Sequence, residues 1–217
     1  MKRNGHRIMI VMIALASLVA GTAWANGEQE GDGGLRLSMG GSTTMDPVMT
    51  SAVERYLTDV DPTAELSYDA PGSTAGIQGT LNGVYDVGAA SRALYIRERE
   101  QGLEEMTIAV DGLAVIAHGN VPIDDISMED LAAIFVGEIR SWEAFGGPDE
   151  EIVVVRRDQA SGTFGAFMET VLVRNYGDDA RYIRRALVTE SNGNMATMVT
   201  QTPYAIGYVS LVTMRRV

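Results

Sequence analysis

The chain has 217 residues, with 29 acidic against 17 basic side chains, a formal net charge of -12 and no cysteine. With 46% apolar and 21% charged residues, it has the composition of an ordinary globular protein, which excludes a disordered chain, a collagen and a polytopic membrane protein. The lack of cysteine excludes disulfides, thiolate metal sites, cysteine nucleophiles and lipid attachment through cysteine. The acidic balance disfavours nucleic acid as a partner.

The first 25 residues have the pattern of a secretory signal peptide. Lys2 and Arg3 lie in a basic start, residues 8–21 form an apolar core, and Ala23-Trp24-Ala25 places small residues before a cleavage point. The alternative, an uncleaved membrane anchor, would need about 20 apolar residues. We therefore expect residues 1–25 to be removed and the mature protein to be exported to the periplasm without a lipid anchor.

Beyond a polar, glycine-rich leader at residues 26–34, which we expect to be flexible, apolar runs alternate with helical patterns. This alternation predicts an α/β fold of sheets flanked by helices. The run at residues 152–155 lacks polar alternation, which indicates a strand buried on both faces. Helical faces are predicted at residues 49–60 and 164–172, and a capped helix start at Ser127. Strands are predicted at residues 35–39, 64–68, 87–90, 108–117, 152–155 and 205–211.

Four segments place glycine and hydroxyl residues where a helix is predicted to begin: residues 40–44, 72–76, 160–163 and 191–194. A helix start has unpaired N–H groups and the positive end of the helix dipole, serine and threonine add hydroxyl donors, and glycine lets a ligand approach the backbone. A single such segment usually caps only its own helix. Because ligands of α/β sheets bind at the carboxyl ends of strands, four of them favour one cleft for an oxyanion.

Two arginines are candidate partners of that anion. Arg157 follows the predicted strand at residues 152–155, and its planar fork suits bidentate contact with a tetrahedral oxyanion. Either Arg156 or Arg157 could instead pair with Asp158 at the surface. Arg92 follows another predicted strand and is either a second ligand or a plain surface arginine.

In this order, the motifs resemble those of the periplasmic phosphate-binding proteins of ABC importers, over nearly all of residues 35–211. The resemblance rests on Gly41-Ser42-Thr43-Thr44, on Pro71-Gly72-Ser73-Thr74-Ala75-Gly76, and on residues 86–92, 131–142, 155–163 and 205–211. It implies a type II periplasmic-binding-protein-like fold in which two α/β lobes are joined by a hinge. The implied limits are lobe 1 at residues 35–112, lobe 2 at 113–211 and a tail at 212–217.

The resemblance also implies the function, which is the capture of inorganic phosphate for an ABC permease in the inner membrane. The alternative is a receptor or sensor for another tetrahedral oxyanion such as sulfate, or a truncated copy that does not transport. Carried over to this sequence, the implied ligand-binding residues are Ser42, Thr43, Ser73, Arg157, Ser161, Gly162 and Thr163. Ser91 and Arg92, at the end of the predicted strand at residues 87–90, complete the predicted site.

Two features depart from the family pattern. Better-known members place an aspartate, which accepts the proton of hydrogen phosphate, where this chain has Arg92. Asp46, Asp86 and Asp158 are the open candidates for that acceptor, although Asp46 before Pro47 also resembles a helix cap. Members also continue past the last predicted strand with a segment that returns to lobe 1. We therefore expect this chain to be either truncated or a natural short form that another chain covers.

An enzyme is disfavoured, because the residues that common catalytic sites need are missing. His118 is the one histidine beyond the predicted signal peptide, and no serine stands in a Gly-x-Ser-x-Gly motif. A zinc site would lack nitrogen and sulfur ligands, and no lysine follows a glycine-rich loop as in nucleotide-binding enzymes. We therefore expect no catalytic residue, no metal and no cofactor.

Overall fold

The structure is a computed structural model that describes residues 34–121 and 123–214, where the strands form one sheet of three strands and one of four. The predicted signal peptide, nearly all of the predicted leader and the end of the predicted tail lie outside the described residues. In the described part, no helix is both long and apolar enough to cross a membrane.

The first sheet is parallel and belongs to lobe 1. Its strands β1 (Arg36–Gly41), β2 (Glu65–Asp69) and β3 (Val87–Ala89) lie in the order β2-β1-β3. Helix α1 (Asp46–Asp59) connects β1 to β2, and α2 (Ser73–Leu81) connects β2 to β3. These connections run in opposite directions across the sheet, so right-handed crossovers place the two helices on opposite faces. A short helix, α3 (Ile96–Arg99), follows.

The second sheet is mixed and belongs to lobe 2. Its strand order is β4-β7-β5-β6, in which β4 is antiparallel to β7 and the other pairs are parallel. The strands are β4 (Leu113–Ala117), β5 (Val153–Arg157), β6 (Leu187–Thr189) and β7 (Ala205–Ser210). The helices are α4 (Met128–Val136), a 3-10 helix (Trp142–Phe145), α5 (Gly162–Phe167), a π-helical turn (Met168–Val173), α6 (Arg174–Tyr176), α7 (Asn192–Gln201) and α8 (Leu211–Met214).

The hydrophobic core of lobe 2 holds β5 and β7 in place. On one side of the sheet, the rings of Phe167 and Tyr208 stack with centroids 4.0 Å apart, beside the buried Phe135. On the other side, Met195 and Val199 of α7 pack on Val155, Ala205 and Val209. Because close-packed interiors resist deformation, the carboxyl end of β5 and the first turn of α7 have fixed positions.

The predicted α/β fold is confirmed, with small shifts at most element ends. Ser127 caps α4, since its Oγ accepts a hydrogen bond of 3.0 Å from Asp130 N. The predicted strand at residues 108–117 is too long at its start: residues 113–117 form β4, whereas residues 108–112 are outside it, and Val110 is 95% exposed. Strand β6 was not predicted from the sequence, because its three residues are too short for a clear pattern. The predicted limits of the lobes stay a prediction.

Candidate anion-binding site

The ends of strands and helices from both lobes meet in one place. Ser42 follows β1, Ser73 begins α2, and Ser91 follows β3, while Thr163 lies in the first turn of α5 and Asn192 begins α7. Hydrogen bonds join these residues, mainly between side chains, and the backbone N of Thr44 donates to Ser42 Oγ. We call this network the polar cluster, and it consists of Ser42, Thr44, Ser73, Ser91, Arg157, Thr163 and Asn192.

Lobe 1 contributes hydroxyl groups to the polar cluster. Ser42 Oγ donates to Ser91 Oγ over 2.9 Å, and Ser91 Oγ lies 3.3 Å from Ser73 Oγ. Ser73 Oγ also accepts a hydrogen bond of 3.1 Å from Ser91 N. Gly72, immediately before α2, has a φ of +110°. Residues with a side chain rarely adopt this backbone conformation, which explains why the motif has a glycine here. Hydroxyls can donate or accept, so this side of the cluster can adapt to a ligand.

Gly162 of lobe 2 lies close to these hydroxyls. A Cβ atom at this position would lie 2.4 Å from both Ser73 Oγ and Ser91 Oγ, so a larger residue does not fit. Next to it, Thr74 N donates to Ala160 O over 3.0 Å, which is a backbone hydrogen bond between the lobes. The first turn of α5 therefore lies directly against lobe 1.

Arg157 is a buried positive charge in the polar cluster. It is 1% exposed, its NH1 donates to Asn192 Oδ1 over 3.1 Å, and its NH2 donates to Glu190 O over 2.7 Å. Both acceptors are neutral, and Nε has no hydrogen-bond partner among the described residues. Burial lowers the pKa of Arg157 from its usual value, and the nearby Asp158 carboxylate opposes that effect. Because arginine stays charged in proteins, the side chain retains a positive charge that suits a buried anion.

The polar cluster contains most of the predicted site residues. Ser161 caps α5, where its Oγ accepts from Phe164 N over 3.3 Å, and this places its hydroxyl beside Gly162 and Thr163. Thr43 is half-buried and lies outside the hydrogen-bonded network, and the next residue, Thr44, occupies it instead. The role of Thr43 as a ligand therefore stays a prediction.

The hydrogen bonds of the Arg92 side chain go to groups outside the polar cluster, although Arg92 follows Ser91 directly. Its NH1 and NH2 each donate to a different oxygen of the Glu98 carboxylate over 2.8 Å, and its guanidinium lies 4.0 Å from the ring centroid of Tyr95. The two charged side chains are only 7% and 2% exposed. Arg92 therefore already has an anionic partner in the protein, which favours neither of the two roles considered from the sequence.

Sequence reasoning missed Thr44 and Asn192 as members of the network. Both stand in segments that the sequence singled out, residues 40–44 and 191–194, but every residue of these segments is a glycine or has a hydroxyl or carboxamide side chain. Which of them points inward depends on the turn after β1 and on the cap of α7. The cap is Ser191, whose Oγ accepts from Asn194 N over 3.0 Å, so Asn192 begins the helix.

The three candidate proton acceptors have partners elsewhere. Asp86 accepts hydrogen bonds from the backbone and hydroxyl of Ser38, and Asp46 accepts one from Thr50. Asp46 begins α1 but does not cap it, because Met45 takes the N-cap position. Asp158 Oδ1 accepts from Ala160 N over 2.7 Å, in the turn that leads to Ser161. In the described ranges, no group of three histidine, cysteine or carboxylate side chains could hold a metal ion.

Comparison with known proteins identifies the family. Residues 25–216 match the PBP superfamily domain. The phosphate-binding protein PstS of Borreliella burgdorferi is 35% identical over 177 residues, which make up 81% of this chain and 63% of that protein, so the chain spans less than two thirds of this relative.

Two solved structures give the same result. A protein from Clostridium perfringens, assigned as a phosphate ABC transporter substrate-binding protein and solved with bound phosphate, is 35% identical with a TM-score of 0.75 over 81% of this chain and 70% of its own. An ABC-type phosphate transport receptor from Vibrio cholerae is 30% identical, with a TM-score of 0.61, and the match covers 81% of this chain and 71% of the receptor. The chain therefore belongs to the PBP superfamily and, within it, to the family of phosphate-binding proteins of ABC transporters.

Proposed function

We propose that this protein captures inorganic phosphate in the periplasm for an ABC importer. The observation that carries the proposal is the buried guanidinium of Arg157, whose hydrogen bonds reach only neutral acceptors in the described residues. It lies in a network of hydroxyl groups at the helix starts of both lobes. A tetrahedral dianion would compensate this charge and receive hydrogen bonds from the hydroxyls.

The proposed ligand-binding residues come from both lobes, so that lobe 1 at residues 35–112 and lobe 2 at 113–211 close over the phosphate. Thr44 joins the residues predicted from the sequence, because it lies in the hydrogen-bonded network where Thr43 does not. We assign Arg92 to the support of the strand end that carries Ser91, through its ion pair with Glu98. The other proposed ligand residues are Ser42, Ser73, Ser91, Arg157, Ser161, Gly162 and Thr163.

The size of the ligand sets the expected affinity. Phosphate has five non-hydrogen atoms, and a ceiling of about -1.5 kcal/mol for each gives about -7.5 kcal/mol, which corresponds to a micromolar dissociation constant. Ionic hydrogen bonds in a site that excludes water act in a low dielectric and strengthen binding. We therefore expect a dissociation constant of about 1 μM or below.

The transport role is inferred from the relatives, whose names place them with phosphate and with ABC transporters. The partner would be an ABC permease in the inner membrane, and the chain itself would not be an enzyme. The predicted signal peptide is consistent with a periplasmic location. Genes for a permease and an ATPase beside this one would support transport, and their absence would contradict it.

Isothermal titration calorimetry on residues 26–217 tests the ligand. We expect one phosphate per chain, similar binding of arsenate because it has the same shape and carries the same protons, and weaker binding of sulfate. A higher affinity for sulfate than for phosphate would contradict the proposal and identify the protein as a sulfate receptor. No heat with any of the three anions would overturn the receptor function.

A further inference from the structure

Asn192 joins the two lobes inside the polar cluster. Its side-chain Nδ2 donates to Thr44 Oγ1 over 3.0 Å, and its Oδ1 accepts from Arg157 NH1 over 3.1 Å. Thr44 is 148 residues away in the chain and belongs to lobe 1, whereas Arg157 belongs to lobe 2. Asn192 is only 2% exposed, so these contacts replace solvent for its carboxamide.

The surrounding donors fix the orientation of the carboxamide. Besides Arg157, the backbone N of Ser210 also points to Asn192 Oδ1, at 3.4 Å. Both partners are N–H donors that cannot accept a hydrogen bond. A flipped amide would direct its NH2 group at these two N–H groups, where no hydrogen bond can form. The NH2 group of Asn192 must therefore point toward Thr44.

This orientation determines what the Thr44 hydroxyl can do. Its oxygen accepts a hydrogen bond from Asn192, so its own hydrogen is directed elsewhere. The nearest hydroxyl partner is Thr163, whose Oγ1 lies 3.2 Å away across the lobes. An anion bound beside Thr44 would accept that hydrogen in the same way. Asn192 thus makes Thr44 a donor.

We propose that Asn192 is a positioning residue of the anion site, one that orients the Arg157 fork and turns the Thr44 hydroxyl into a donor toward the ligand. Its contact with Arg157 lies within lobe 2, whereas its contact with Thr44 crosses the lobes, so the Thr44 hydroxyl is oriented only when the lobes are together. This inference rests on the proposed phosphate function. It predicts that Asn192 affects the affinity although it need not touch the phosphate.

The comparison of Asn192→Ala with Asn192→Asp tests the inference through phosphate titrations. Asn192→Ala removes both hydrogen bonds, and we expect binding to weaken about tenfold, mainly through faster dissociation. In Asn192→Asp the carboxylate still accepts from Arg157, but it also accepts the Thr44 hydrogen and places a negative charge beside the anion. We therefore expect Asn192→Asp to bind phosphate more weakly than Asn192→Ala.

A merely structural role predicts the opposite order, because aspartate keeps the shape of asparagine and its bond to Arg157. Asn192→Asp binding as well as or better than Asn192→Ala would overturn the inference. The matched control is Asn194→Ala, two residues along the same helix, where the side chain is exposed and affinity should not change. Thermal unfolding without phosphate checks that each variant is folded.

A double-mutant cycle with Thr44→Val isolates the contact between the lobes. If Asn192 acts through Thr44, Asn192→Ala should weaken phosphate binding less in the Thr44→Val background than in the wild type. Equal losses in both backgrounds would contradict the coupling. If the wild-type chain fails to bind phosphate, the proposed function fails. If the wild-type chain binds phosphate and the Asn192 variants bind it as tightly as the wild type, only the inference about Asn192 fails.

Discussion

The hydroxyl oxygens of Thr44 and Thr163 lie 3.2 Å apart, although 119 residues separate them in the chain. Thr44 follows β1 in lobe 1, and Thr163 lies in the first turn of α5 in lobe 2. Neither lobe alone therefore presents the complete set of donors. The affinity for an anion depends on how well the lobes fit together as well as on the donors themselves.

Replacing Arg157 by alanine should abolish most of the phosphate affinity. Removing one partner of a buried charge pair costs roughly 2 to 5 kcal/mol, which is about 30-fold or more in the dissociation constant. Calorimetry with phosphate measures this loss. The matched control is Arg55→Ala, which removes the same charge from an exposed pair with Asp59 and should leave the affinity within about twofold. Equal affinities of the two variants would contradict the role of Arg157.

Replacing Gly162 by alanine should weaken phosphate binding at least about tenfold, because a cost of 1.4 kcal/mol or more is expected from the displaced serines. The added Cβ would lie 2.4 Å from Ser73 Oγ and Ser91 Oγ, so the lobes would have to separate. Gly193→Ala is the control, since its nearest atom outside the neighbouring residues would be Ser191 Oγ at 3.9 Å. Both changes favour the helix, so thermal unfolding should show no large loss of stability. Normal binding by Gly162→Ala would contradict the close approach of the lobes.

Local patterns in the sequence predicted the longer strands of lobe 2 and the start of α5, whereas the three-residue strand β6 was missed. Ser161 before Gly162 and the apolar face of α5 were confirmed as a capped, buried helix start. The first half of the predicted strand at residues 108–117 failed because an apolar run indicates burial but not a partner, and residues 108–112 have no β-ladder partner in the described sheets. Pairing is a long-range property that such a run does not encode.

The candidate site shows the same difference between local sequence patterns, which were predicted, and long-range contacts, which were not. The predicted serines stand in glycine- and hydroxyl-rich segments at helix starts, and Arg157 directly follows a predicted buried strand, so local patterns were enough to place these residues in the polar cluster, whereas their role as ligands stays a prediction. Arg92 pairs with Glu98 six residues further on. In a helix these two positions face different sides, and in a strand they share a face but lie about 20 Å apart, so neither regular pattern predicts the pair. Asn192 matters because of a contact over 148 residues, which a single sequence does not reveal.

Selectivity between phosphate and sulfate should depend on Asp158. Of the three candidate acceptors, it lies in the turn that carries Ser161, whose N donates to Asp158 O over 3.2 Å. Asp158→Asn keeps an oxygen for Ala160 N but offers one acceptor fewer to a protonated anion. We expect the ratio of phosphate to sulfate affinity to fall, because a hydrogen-bond acceptor that faces the ligand disfavours the anion that carries no proton. Competition calorimetry with both anions measures the ratio.

Asp86→Asn is the control for selectivity, because Asp86 bonds to Ser38 rather than to the polar cluster. It should leave the ratio unchanged. An unchanged ratio in Asp158→Asn as well would assign the acceptor role to the hydroxyls of the cluster, which can both donate and accept. That result would contradict the role of Asp158.

The buried pair of Arg92 and Glu98 should make stability depend on pH in acid. Hydrogen bonding to Arg92 lowers the pKa of Glu98, so the pair contributes stability above the unfolded pKa of about 4.3 and loses it as pH falls through the lower folded value. Glu98→Gln should cost about 3 kcal/mol at pH 7, because it leaves Arg92 buried without an anion, and should flatten the acid limb of the profile. Urea unfolding between pH 7 and pH 3 measures both effects. Glu65→Gln, which breaks an exposed pair with Arg36, should change neither, and a profile of Glu98→Gln parallel to the wild type would contradict the assignment.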